Sequence, residues 1–173
     1  MHSAYKQVFT EKELFVLLGL LNSIPLDYLM RTKIDTNIVQ YKLEESQMPR
    51  LTKGDDWFEY ISERAARLNC YGEAFAEMRE RLGVDELHSS ARGAASETQS
   101  HGGIEAATDP EERKRLQSEI DAAAFHAYGL DREETRFVCE DFHRVQNPRL
   151  MTDEYFDLVV EIYDELAEEG PKP

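Results

Sequence analysis

Apolar residues recur at helical spacing along most of this chain. In Glu11–Leu21, Leu14, Leu17, Leu18 and Leu21 fall three or four residues apart, which predicts an amphipathic helix. Thr10 precedes it and Glu13 follows three residues later, the pattern of a capping box. Asn22-Ser23 interrupts the pattern, and Pro25 falls in the first turn of a second helix, about Ile24–Thr32, which turns Leu26, Leu29 and Met30 inward. Asn37–Leu43 instead alternates Ile38, Gln40 and Lys42 with Val39, Tyr41 and Leu43, predicting a half-buried strand or extended arm. Helix returns over Asp55–Leu68, with Trp57, Tyr60, Ile61, Ala65 and Leu68 on one face, and over Glu73–Leu82 after a break at Gly72.

Between Asp85 and Thr108 the periodicity stops. The stretch SSARGAASETQSHGG is small and polar, too poor in apolar surface to offset its ordering entropy, and reads as a flexible linker or insertion. Beyond it, Asp109 caps a helix with Pro110 in first position and Glu112 closing a box. That helix buries Leu116, Ile120, Ala123, Ala124 and Phe125, and ends at Gly129. Asp131 and Glu134 form the next box, ahead of an apolar face of Phe137, Val138 and Phe142. Thr152 starts the last helix, whose stripe runs through Tyr155, Phe156, Val159, Val160, Ile162, Tyr163 and Leu166. The expected fold is mainly α, with bundle-like helical lobes and one short extended segment near residues 37–43. The expected organisation is a helical lobe with an extended arm over 1–84, a linker over 85–108 and a three-helix closing segment over 109–173.

Composition changes the picture through charge. The 173 residues carry 35 Asp and Glu against 20 Lys and Arg, a formal net charge of −15. Residues 1–60 hold 7 basic and 9 acidic side chains, so nearly all the excess lies behind them. Such a balance fits a solvated acidic surface, as in salt-adapted proteins, or an acidic interaction face. Either way it opposes phosphate binding by the chain as a whole, so any contact with DNA requires a local site or a basic partner. Cys70 and Cys139 make neither a disulfide framework nor a zinc pattern, and read as two reduced, partly buried thiols. The first residues lack a basic segment followed by an apolar core, and the apolar run Leu14–Leu21 is too short to span a bilayer. A cytoplasmic protein without a membrane partner is expected.

Chemistry-bearing motifs are sparse. No nucleophile elbow, phosphate loop or dinucleotide fingerprint occurs. Cys139 and His143, four apart, share a helical face as two metal ligands could, yet no further pair at ligand spacing accompanies them. Acidic pairs such as Glu111-Glu112 and Glu133-Glu134 occupy first helical turns, where the dipole favours them. No activity is expected from the chain by itself. Around the arm, Arg31, Lys33 and Lys42 can neutralise phosphates, Asn37 and Gln40 can read adenine edges, and Tyr41 can stack or pack. An ordinary turn and strand with exposed polar side chains explains the same residues. Arg113-Lys114-Arg115 forms a second basic run, which a solvated helix start also explains.

Several segments, in order, resemble one family. Leu17–Tyr28 (LLGLLNSIPLDY) resembles the double helix near the end of the target-recognition region of adenine-specific DNA methyltransferases and type IIG restriction–modification enzymes. Asn37–Pro49 is similar to the extended segment ending in proline that follows there, and Ile61–Asn69 (ISERAARLN) to the next helix. Arg115–Leu130 with Asp131–Phe142, and then Tyr155–Leu166, resemble the family's closing helices. The catalytic Asn-Pro-Pro-aromatic motif is absent, since Asn147-Pro148 is followed by Arg149-Leu150, and so is the glycine-rich loop for S-adenosylmethionine. The resemblance therefore implies a non-catalytic DNA-recognition or scaffold segment. Double-stranded DNA would be reached through the parent enzyme, and a methyltransferase catalytic domain would be the partner. S-adenosylmethionine, and magnesium where cleavage is involved, would belong to that partner and not to this chain. The alternative is an acidic helical adaptor that binds another protein and no DNA.

Overall fold

The computed structural model describes residues 9–33, 40–83, 103–144 and 151–172. Among them are eight α-helices and one 3-10 turn: α1 (Glu11–Leu21), α2 (Ile24–Lys33), α3 (Gln40–Glu44), α4 (Asp56–Asn69), the turn Glu73–Phe75, α5 (Ala76–Gly83), α6 (Pro110–Ala127), α7 (Arg132–His143) and α8 (Asp153–Glu169). The fold is mainly α, as the periodicity predicts.

Helix α6 is the axis. It packs against α4 on one side and α8 on another, and touches both α1 and α2. Its middle, Ala122–Phe125, is completely buried. Three successive alanines there let the neighbouring helices come close, because interaxial distance follows side-chain size at the crossing. Helix α8 supplies Tyr155, Val159, Ile162, Tyr163 and Leu166 to the same core, and α7 adds Val138, Cys139 and Phe142. Where α4, α6 and α8 meet, the Trp57, His126 and Tyr163 rings stack, with centroids 5.0 and 3.9 Å apart. The His126 Nε2 lies 2.9 Å from the Tyr163 carbonyl, and burial lowers the histidine's pKa.

The helix starts follow their local signals. Thr10 and Glu13 exchange both bonds of the capping box, as do Asp131 and Glu134. The Asp109 carboxylate accepts the Glu111 and Glu112 amides, and Thr152 accepts that of Tyr155. At α6 the expected box stays half made. Glu112 reaches across to Arg67 of α4, trading a local bond for an ion pair between helices.

Residues 40–43 of the predicted extended arm belong to helix α3, while 37–39 lie outside the described residues. No strand exists among the described residues to pair with it, and an unpaired extended backbone leaves its amides and carbonyls unsatisfied. In α1 the buried face is Phe15, Val16, Gly19 and Leu20, whereas Leu14 and Leu21 are exposed, against expectation. Both faces of EKELFVLLGLL are apolar, so spacing alone does not choose, and contact with α4 does. In α7, Phe137 points outward at 56% exposure, and Thr135 and Cys139 take inward positions beside Val138 and Phe142. Lastly, residues 103–108, placed with the linker by composition, lie against the core. Ile104 N–H donates to Arg79 O, and Ala107, almost wholly buried, donates to Arg67 O. Gly103 sits so close to α5 that a Cβ would come 2.6 Å from the Arg79 carbonyl oxygen.

No single helix among the described residues is long and apolar enough to cross a membrane. The α1–α2 pair has the combined length and composition, but is bent by 59° and buries its inner faces in the core. Cys70 and Cys139 are free and buried. The His143 Nδ1 lies 3.1 Å from the Met151 carbonyl, and no group of three potential metal ligands occurs among the described residues.

Candidate nucleic-acid interface

The expected DNA-contacting residues sit where α2 ends and α3 begins, so the placement of α2 governs the site. Its amino end is the corner Asn22-Ser23. Asn22 closes α1 by donating its side-chain amide to Leu18 O, and the Ser23 hydroxyl donates to Leu20 O. The first amide of α2, that of Ile24, is met by no side chain of its own segment. It donates instead to Asp121 Oδ1, 2.9 Å away on α6. The other oxygen, Oδ2, accepts the Tyr155 hydroxyl of α8 at 2.6 Å. One buried carboxylate thus joins α2, α6 and α8.

The electrostatics of that junction follow from burial. Removal from water pushes the Asp121 pKa up to about 7, although its two hydrogen bonds pull the other way and the Asp27 charge adds to the rise. Tyr155 is raised far above an ordinary phenol by its own burial and by Asp121. Cys139, close enough to feel the same charge, is pushed up to about 12, chiefly by desolvation. A thiol in that state is no nucleophile.

At the carboxyl end of α2, Arg31 and Thr32 are exposed and Lys33 is half-buried. Arg31 holds Asp27 through Nε at 3.2 Å and Nη2 at 2.9 Å, one helical turn back, and its guanidinium lies 4.1 Å over the Phe142 ring. Lys33 donates to the Glu45 carbonyl at 3.2 Å, tying the end of α2 to the turn after α3. Gln40 donates to Glu44 within α3 at 2.7 Å, and Tyr41 is 56% exposed. The fold thus places Arg31 and Lys33 in the last turn of α2, and Gln40 and Tyr41 in the first turn of α3, the helix that touches it. Lys42 belongs to α3, while its side chain and all of Asn37 lie outside the described residues.

The chemistry available there is that of a positioning surface. Two cations, a primary amide and an exposed phenol can contact phosphates and base edges, but Arg31 must share its donors with Asp27. No nucleophile–base pair accompanies them among the described residues.

Sequence reasoning missed Asp121, which organises this end of the molecule. The available signal was its position: a carboxylate whose i+3 and i+4 neighbours, Ala124 and Phe125, belong to the buried face of a helix. A charge there must find partners, because burying it unpaired is costly. Comparison with known proteins adds nothing to this geometry, since no family model, curated protein or solved structure matches the chain.

Proposed function

We propose that the chain is a non-catalytic helical scaffold of an adenine-specific DNA methyltransferase or type IIG restriction–modification enzyme. In this reading it acts in the cytoplasm and presents the α2–α3 edge to duplex DNA, while a catalytic region elsewhere binds S-adenosylmethionine and transfers the methyl group. One observation carries the reading. The helical segments that resemble the family, Leu17–Tyr28, Ile61–Asn69, Arg115–Phe142 and Tyr155–Leu166, are the ones that pack together around α6. Those stretches therefore work as a clasp, and the polar edge at Arg31, Lys33, Gln40 and Tyr41 is left outside it.

The charge sets the terms. With a net charge of −15, the free chain has little affinity for duplex DNA at low salt, and a basic catalytic partner supplies the missing potential. The test is a duplex-binding titration over a salt series, with the chain alone, the catalytic region alone and the two together. The expected result is a tighter DNA complex for the pair than for the catalytic region alone, weakened when Arg31 and Lys33 are replaced by alanine. No DNA-dependent signal in any arm, together with a stable complex with an unrelated protein, overturns it. That outcome favours the adaptor reading, for which the exposed Leu14, Leu21 and Phe137 on an acidic chain are the supporting observation.

A further inference from the structure

The basic run Arg113-Lys114-Arg115 has a place that the α2–α3 edge does not use. Its last member turns away and pairs with Glu119 and Glu165. The first two line a cleft of about 630 Å³ between α1, α4 and α6, along with Asn22, Asn69, Gln117 and Asp121. The apolar wall of this cleft includes Leu18, Leu68 and Ile120. None of the lining residues belongs to α2 or α3, so the cleft is a surface separate from that edge.

Arg113 is the telling residue. Its Nη1 is anchored by two carbonyls, Leu68 O at 2.8 Å and Ala107 O at 3.0 Å, and no described carboxylate forms an ion pair with it. Arg79 is held in the same way, by Cys70 O at 2.7 Å and Gly72 O at 2.8 Å, but of the two only Arg113 lines the cleft. Two carbonyls fix its position without cancelling its charge, and they leave donors of its five-donor fork unused. Lys114 stands beside it and pairs with Glu154, a largely exposed acid whose screened pairing is easily given up. The one carboxylate in the lining, Asp121, lies eight residues further along α6, about 12 Å away along the helix axis. Both its oxygens are taken by Ile24 and Tyr155. The cleft therefore has a cationic end, where Asn69 follows the Leu68 that holds Arg113, with Gln117 further along α6 and Asn22 two residues from the Ile24 that meets Asp121.

We propose that this cleft binds a nucleotide, with the phosphate at Arg113 and Lys114 and the base between the apolar wall and the amides of Asn22, Asn69 and Gln117. Asn22 and Asn69 each spend one amide N–H on the carbonyl four residues back, Leu18 O at 2.8 Å and Ala65 O at 2.7 Å, which leaves each a second N–H and Oδ1 for an adenine edge. Leu18 and Leu68 give a flat base an apolar surface to lie on, and the cleft volume falls within the range of small-ligand sites. The same chemistry serves a free mononucleotide and a nucleotide within a single strand.

Nuclear magnetic resonance titration of the whole chain distinguishes them. The probes are adenosine monophosphate, adenosine, inorganic phosphate and a single-stranded oligoadenylate. Adenosine monophosphate is expected to shift the amide signals of residues 113–121 and of Asn22 and Asn69 saturably, with adenosine and phosphate each binding more weakly. Lys114→Glu and Gln117→Leu alter the surface of α6 and leave the Arg113 anchor in place. Each should weaken adenosine monophosphate by about tenfold, the worth of one charge-assisted or buried hydrogen bond, while the thermal transition persists. Tighter binding of the oligoadenylate than of the mononucleotide assigns the site to a strand, and the reverse assigns it to the free nucleotide. Absence of saturable shifts with both, or unchanged affinity in both variants, overturns the proposal.

Discussion

The amino end of α2 rests on a buried carboxylate contributed from α6, whereas its carboxyl end is finished by solvent-facing contacts, Arg31 with Asp27 and the Phe142 ring and Lys33 with Glu45. Asp121 is buried and meets Ile24 across 97 residues of sequence. Arg31 is exposed and pairs with Asp27 one turn away. A bond at the first end is worth most when broken, because its partners are left dry and unsatisfied. A bond at the second end is worth little, because water replaces it. The same helix is therefore clamped where it joins the core and adjustable where its polar side chains face outward, which suits an element that positions a surface.

The strongest way to break this contrast is Asp121→Ala. It orphans the Ile24 amide and the Tyr155 hydroxyl together, and should cost about 2–4 kcal/mol in denaturant unfolding. A cost near that of an ordinary surface substitution means that the corner is held by packing alone.

The second test is pH. Asp121 has its pKa raised in the fold from an ordinary 3.8 to about 7, so it binds its proton more tightly folded than unfolded. Its contribution to stability is therefore fully present below the unfolded value and is lost as the pH rises through about 7. Asp121→Asn should flatten the stability curve across that window by about 1–3 kcal/mol, read from denaturant midpoints at successive pH values. His126 runs the other way: its lowered pKa gives stability that is present above the unfolded value and lost as the pH falls. A window that stays steep in the Asp121→Asn variant assigns the slope to another group.

Gly19→Ala probes the other arm of the corner, where α1 crosses α4. The added Cβ would stand 2.6 Å from Ile61 Cγ2, part of a completely buried side chain. Relief of glycine's helix penalty returns about 1 kcal/mol, against an overpacking cost of about 1–3 kcal/mol. A net loss of about 1 kcal/mol in thermal or chemical unfolding is expected. A gain shows slack at the crossing. At the exposed end, Arg31→Ala should cost less than about 1 kcal/mol in stability. In the assembled DNA complex it should lower the salt slope by about one. Tyr41→Ala, the smallest effect, should stay within about 0.5 kcal/mol of the parent in stability while still changing any stacking contact it makes.

Much of the fold was legible before the structure. The boxes at Thr10/Glu13 and Asp131/Glu134, the break at Asn22-Ser23 and the stripe of α8 all appear as expected, because each depends on residues within about one or two helical turns of one another. Expectations failed where a distant neighbour chose between equal local options. Phe137, expected on the apolar face, points outward because the positions of α8 and α2, not the hydrophobicity of the residue, determine which side of α7 is inside. Gln40–Glu44 became helical once no partner strand was at hand. Of the candidate interface, the residue types were readable, but their engagement was not: Arg31 is held by Asp27 and Phe142, and Lys33 by Glu45.

By itself, then, the sequence determined the helical class, the capped helix starts at Thr10, Asp109, Asp131 and Thr152, and the acidic balance, since these arise from short-range hydrogen bonding, periodicity and composition. Tertiary structure alone decided that Asp121 holds the first amide of α2, that carbonyls rather than a described carboxylate anchor Arg113 in its cleft, and which face of α1 is buried. Each of these is a pairing between groups far apart in the chain. Its energy depends on desolvation at the contact, a quantity that exists only once the helices have packed.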